Sequence, residues 1–281
     1  MSIQLSRVIT SKPTGNGSSL IKSIDLHGLG ERASPVNVID HFRVCGRPFP
    51  PHPHAGFSAV TYVFEDSQGG LRSRDSLGDD VVIGPGGICW TEAGSGVMHE
   101  EVPADPGREL HGLQVFVNLS SKNKLVVPRM LRLQPNQVPE WRSDAGDRVR
   151  VVVGSFEGIS SPLVPTELFN LLDIELRSEM SFSLQDAHNA LLYVLTGGVL
   201  VRADGQVQKV AGEHALGLYG SGGIVTLEAV HPAHFVILSG AEIREPVLVH
   251  GSFIMTEPSQ IEAAVARYRA GQMGYLAPLS D

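Results

Sequence analysis

Four side chains in the first half of the chain are spaced for metal chemistry. PFPPHPHAGF places His52 and His54 two residues apart, and GSGVMHEEVP does the same for His99 and Glu101. On an extended strand successive side chains point to opposite faces, so each pair looks one way while Glu100 looks the other. Three imidazoles and one carboxylate brought together from two strands make a mononuclear site for a divalent ion. An octahedral ion held by such a set keeps open positions for water, substrate or dioxygen. Either pair alone has a plainer reading as surface or hydrogen-bonded polar residues. Two pairs separated by several strand-sized segments are what a β-sandwich needs to gather ligands around one ion.

The elements that must carry these residues read as short strands. Residues 57–65 (FSAVTYVFE), 79–83 (DDVVI), 88–93 (ICWTEA) and 113–119 (LQVFVNL) are β-branched and aromatic runs separated by GG, GD, GPGG and GSG turns. Turn signals at intervals of roughly 8–12 residues, with no helical crossovers between them, predict an all-β sandwich or barrel. Pro50, Pro51 and Pro53 stiffen the His-x-His run and remove backbone donors, which suits a sheet edge better than a central strand. The second half repeats the style in ALLYVLTGGVLVRADGQVQKV, HALGLYGSGGIVTLEAV and HFVILSG. YVFEDSQGGLRSRD and YVLTGGVLVRADG read as equivalent hairpins of a duplicated unit, joined through the polar stretch 131–148. The expected division is a metal-binding domain over 1–135 and a second domain over 136–281. One helix is expected near the C-terminus. Ser259 and Glu262 fit a capping box, Ile261, Val265 and Tyr268 share a face, and Gly271 suits the stop.

Composition removes several function classes. No apolar run reaches the roughly 18–20 residues of a membrane-spanning helix, and MSIQLSRVIT lacks the charged-then-apolar pattern of a secretory leader. Two cysteines, Cys45 and Cys89, make neither a disulfide framework nor a Cys-rich zinc site, so a reducing, cytoplasmic setting is expected. Net charge is −8, with no basic run, which argues against binding nucleic acid by phosphate neutralisation. A monomer is expected.

PHPHAGF, DSLGDDVVIGPGGICWTEAGSGVMHEE, HGLQVFVNL and, near the C-terminus, REPVLVHGSFIM resemble the signature blocks of the pirin family. The resemblance runs over nearly the whole chain and is more specific in the first half. It implies a bicupin, two antiparallel jelly-roll-like β-barrel domains, here with a C-terminal helix. It implies one metal, iron as Fe(II), in the N-terminal domain, with ligands at His52, His54, His99 and Glu101, the four that spacing selects. Such a donor set also accepts Ni, Mn, Co, Cu or Zn. His111 and Gln114, in RELHGLQ, resemble a block near the family's metal pocket and are candidates to orient a ligand, water or substrate. The plain alternative for His111 is a hydrogen bond within its strand. Phe57 and Trp90 are candidates for the pocket wall, although large aromatics on sandwich strands are usually core. Cys89 is expected to be buried and inert. Two positions depart from the family pattern: Ala55 stands where Arg is frequent, and Ser58 where Glu is frequent. His188, His214, His231, His234 and His250 form no comparable constellation, and the resemblance implies a second cupin without metal.

Two functions follow as expectations. The first is a dioxygenase of the quercetin 2,3-dioxygenase type, which the resemblance implies, acting on a small aromatic or enolic substrate with dioxygen. In it Glu101 is both ligand and the base that takes the substrate's hydroxyl proton. The second is a regulator without turnover, in which the metal's oxidation state alters a surface that binds a protein partner. A roomy cleft at the metal favours the first, a closed site the second.

Overall fold

The β-branched runs form strands where expected, at Phe57–Val63, Asp80–Ile83, Ile88–Glu92 and Leu110–Asn118. A computed structural model describes residues 2–16, 19–47 and 49–279; Pro48, the first residue of the proline-rich run, lies outside them. Among the described residues the chain is almost entirely β, with one α-helix, Pro258–Arg269.

The described residues divide into two compact units, and neither is a single stretch of chain. One lies within 13–22, 38–137 and 243–281, the other within 1–12, 23–37 and 138–242. A single cut at 135/136 therefore matches only the middle of each unit. The physical reason is pairing between residues far apart in sequence. The Ile3–Leu5 strand pairs with His214–Gly220 inside the second unit, and Phe253 is bridged to Ala55 inside the first.

The unit with the histidine pairs is built on two sheets. One runs in the order Arg129–Leu133, Ile88–Glu92, Phe57–Val63, Leu110–Asn118 and Val36–Val44. The other runs His52–His54, Val97–Pro103, Leu71–Asp75 and Asp80–Ile83. The His52–His54 strand is at a sheet edge, where the missing proline donors are tolerated. Val63 and Cys89 from the first sheet pack against Leu71 and Ile83 from the second, all buried. Each fully buried aliphatic side chain of this kind favours the fold by about 1.5–3 kcal/mol relative to exposure.

The two expected hairpins are not hairpins. Phe57–Val63 and Leu71–Asp75 lie in different sheets, so the connection between them crosses the sandwich. In the other unit YVLTGGVLVRA, residues 193–203, falls within one strand, His188–Ala203, whose register slips between Val194 and Val199; Asp204 and Gly205 then turn the chain into the paired strand Gln206–Ala211. Gly197 has φ +78, and a Cβ there would meet the Pro232 carbonyl oxygen at 2.3 Å. The Thr-Gly-Gly run is thus a bulge that bends the strand rather than a turn that ends it. This unit closes over an apolar core that includes Val149, Val151, Leu172, Leu192, Phe235 and Ile237.

The C-terminal helix begins earlier than the Ser259–Glu262 box implies. Glu257 is the cap and shares reciprocal bonds with Gln260, because Pro258, with its preset φ and no N–H, suits the first helical position. Gly271 ends the helix at φ +69. Ile261 and Val265 face inward beside the fully buried Ala264, whereas Tyr268 remains 44% exposed.

Candidate metal centre

Strand register decides which side chains meet. Val97–Pro103 runs antiparallel to His52–His54, with His99 opposite His52. The His52 and His54 Nε2 atoms are 3.1 Å apart, and those of His52 and His99 3.2 Å. The ligating atoms of all three histidines lie within 4.8 Å of one another. Both separations are of hydrogen-bond length, and the role of each ring nitrogen depends on its tautomer. His52 Nδ1 donates to the Pro50 carbonyl at 2.9 Å, which leaves its Nε2 as a lone pair aimed at the other two rings. A shared cation satisfies three such nitrogens at once, so the residues fit a divalent metal. Burial pushes the His54 pKa down to about 3, helped by neighbouring His52, and holds His99 well below its usual value. Both are therefore kept in the neutral form that ligates.

Glu101 follows His99 by two residues and lines the same cavity, although it is not part of the three-histidine cluster. Thr61 Oγ1 donates to its Oε2 at 2.5 Å, and Ser73 Oγ to its Oε1 at 3.3 Å. Burial pushes the Glu101 carboxyl up to about 7 against the pull of those two hydroxyls. A group with that proton affinity can exchange a proton with a bound substrate near neutral pH. Sequence reasoning missed Thr61 and Ser73. The available signal was a hydroxyl placed in register with the apolar Ala59 and Val63 of its strand. Cys89 is buried, with its thiol pushed up to about 12 by burial, and donates to Ser73 Oγ at 3.4 Å. Its burial is as expected.

The cavity in front of these groups has a volume of about 310 Å³, with His52, His99, Glu101, Gln114, Phe42 and Phe116 among its walls. Gln114 is therefore at the site. His111 is not, because Leu110, Gln114 and Phe116 face the cavity and strand alternation turns His111 to the opposite face. There its Nδ1 donates to Asp66 at 2.6 Å, and its Nε2 lies 2.7 Å from that of His41. Trp90 is paired with Val60, one position out of phase with Thr61, and is buried on that same opposite side. Phe57 does not line the cavity. Its ring packs 4.9 Å from that of His54 and 4.6 Å from that of Phe116, backing the ligand ring. Ala55 and Ser58 are both buried, and Ser58 stands opposite Glu92, which pairs with Arg129 at 2.5 Å.

In the other unit His188 and His214 bond to the backbone carbonyls of Asp186 and Gly212, and His234 bonds to Asp173 at 2.5 Å.

Two antiparallel β units, one of them cradling an imidazole cluster, define a bicupin. Solved structures agree. Quercetin 2,3-dioxygenase from Acinetobacter baumannii superposes with a TM-score of 0.86 at 23% identity, covering 99% of this chain and 100% of that one. The bacterial pirin YhhW from Escherichia coli, in complex with nickel(II), gives 0.63 at 17% identity, covering 85% and 99%. At such identities these likenesses establish the fold. Sequence goes further: the Pirin family model matches residues 10–117, and the model of the pirin C-terminal cupin domain matches 171–274. Human pirin is 32% identical over 279 residues, covering 97% of this chain and 94% of its own. A Pseudomonas aeruginosa protein provisionally named as a quercetin 2,3-dioxygenase is 30% identical over 277 residues, covering 93% and 95%. The chain belongs to the pirin family.

Proposed function

We propose that this pirin is a metal-dependent dioxygenase of the quercetin 2,3-dioxygenase type, acting on a hydroxylated aromatic or enolic substrate. The observation that carries the reading is the coincidence of the three-histidine cluster with a cavity of about 310 Å³. That is room for a small aromatic ligand directly at the ligating atoms. A divalent ion held by His52, His54 and His99, with Glu101 as a further ligand, supplies Lewis acidity and open positions for a substrate oxygen and dioxygen. Iron is the ion expected.

The chain's own residues do the rest. Phe42, Leu110 and Phe116 give the cavity apolar walls that exclude water and pack against a flat ring. Gln114 offers an amide to the substrate's oxygens. Glu101 takes the proton of a substrate hydroxyl, and Thr61 and Ser73 keep the carboxylate aimed while it does so. The relative named for quercetin 2,3-dioxygenase supports the reading. A regulator without turnover has no need of such a cavity.

Oxygen consumption with quercetin tests it, using metal-reconstituted wild type, metal-stripped wild type and His54→Ala. Uptake is expected from the first and not from the other two. Uptake by the reconstituted protein no greater than by the stripped one overturns the dioxygenase reading. Elemental analysis of the purified protein identifies the ion.

A further inference from the structure

The strand that carries His52 and His54 is three residues long and lies at a sheet edge, so its own ladder is a weak support for two ligands. Support comes from the far end of the chain. Ala55 and Phe253 form a parallel bridge, in which Ala55 N–H donates to the Ser252 carbonyl at 3.4 Å and Ile254 N–H to the Ala55 carbonyl at 3.0 Å. Gly56, at φ +83, lies so close that a Cβ would sit 2.0 Å from the Ile254 carbonyl oxygen. Lys124 is buried at this junction, 1% exposed. Its Nζ donates to the carbonyls of Gly56 at 2.8 Å and Ile254 at 2.9 Å, and to Asn118 Oδ1 at 2.5 Å. A buried ammonium is tolerated only when its donors are satisfied, and here two of the acceptors are main-chain oxygens from the two segments being joined.

The same C-terminal segment holds the strand of the third histidine. Met98 N–H donates to the Met273 carbonyl at 3.2 Å, and Ser76 Oγ to the same oxygen at 2.6 Å. Arg74, paired with Glu100, donates to the Ala277 carbonyl at 3.0 Å.

We propose that Lys124 is a positioning residue for the metal centre. It clamps the turn after His54 to the Phe253–Met255 strand, so that the edge strand presents its imidazoles at ligating separation. The inference rests on the metal reading of the three histidines. Without the clamp the Gly56 turn, two residues from His54, keeps the bridge at Ala55 and its own N–H bond to the Gly94 carbonyl at 2.8 Å, but the Gly56 carbonyl loses its tie to the C-terminal strand. Groups that orient ligands without touching the metal typically change affinity by about 10–100-fold when removed.

Cobalt(II) titration of the metal-free full-length protein tests the proposal, reading the visible d–d spectrum and the dissociation constant beside far-UV circular dichroism. Lys124→Met is expected to be folded at the titration temperature, to bind cobalt about tenfold or more weakly, and to show a shifted d–d band. Lys124→Gln, which keeps a donor for one carbonyl, is expected to fall between it and wild type. A purely structural role would lower the melting temperature and leave band and affinity unchanged; that result in folded Lys124→Met overturns the proposal. If Lys124→Met does not fold, wild-type band and affinity in Lys124→Gln overturn it. Wild type that binds no cobalt overturns the metal reading itself, and this inference with it.

Discussion

Thr61 donates a 2.5 Å hydrogen bond to Glu101 across the sandwich. Thr61 stands on Phe57–Val63 of one sheet and Glu101 on Val97–Pro103 of the other, so one short bond ties the two sheets at the cavity. It also restrains the carboxylate whose proton affinity burial has raised. Ser73, on Leu71–Asp75, holds the other carboxylate oxygen, so three strands fix the position of Glu101.

The first prediction concerns that carboxylate in metal-free protein. The folded pKa of Glu101 is about 7, above the ordinary 4.5, so the native state binds its proton more tightly than the unfolded chain. Its contribution to stability is full below pH 4.5 and is lost as pH rises through about 7. Urea denaturation of metal-free wild type and Glu101→Gln should show the variant gaining on wild type across that window, by at most about 3–4 kcal/mol. The difference should be level above it. A difference that does not vary with pH contradicts the assignment.

Acid should act through different groups. Burial, then neighbouring His111, pushes His41 down to about 3, and burial does the same to His54. The unfolded chain takes up these protons first, so stability present above pH 6.5 is lost as pH falls towards 3. Replacing His41 with Gln should make the metal-free protein's loss of stability over this range shallower, by about one proton in the slope of unfolding free energy against pH.

Metal removal should lower the melting temperature, and returning a divalent ion should restore it in proportion to the logarithm of free metal. His54→Ala should lose that response, because two imidazoles remain of a three-histidine cluster. Thermal unfolding with and without chelator, beside elemental analysis, measures both. A melting temperature in His54→Ala that still rises with added metal would place the ion elsewhere.

Two substitutions should separate cavity from core. Gln114 lines the cavity and Trp90 is buried on the opposite side of its sheet. Gln114→Leu should raise KM severalfold and leave the melting temperature close to wild type. Trp90→Phe should lower stability by about 1–3 kcal/mol with KM unchanged. Steady-state oxygen uptake and thermal melts on the same preparations decide between these outcomes.

Much of the site was legible without coordinates. The i, i+2 spacing of His52 with His54 and of His99 with Glu101 depends only on strand periodicity, a local property of the backbone. The prolines around His52 announced an edge strand, and the spacing of turns announced an all-β fold. Where reading failed, the missing quantity was phase or partner. His111 and Trp90 sit in the right strands on the wrong faces, because a one-residue shift in register reverses a side chain. Thr-Gly-Gly looked like a turn and is a bulge, because the choice rests on whether the next strand continues in the same sheet.

What the sequence determined by itself is the set of candidate ligands and the β character of the chain, since both follow from residue type and short-range period. Tertiary structure alone decided that Thr61 and Ser73 hold Glu101, that Lys124 reaches Gly56 and Ile254, and that residues from beyond 242 support the strand of His52 and His54. Those relations join residues far apart in the chain. Their geometry comes from the closing of the two sheets and the return of the C-terminal segment, which no local pattern encodes.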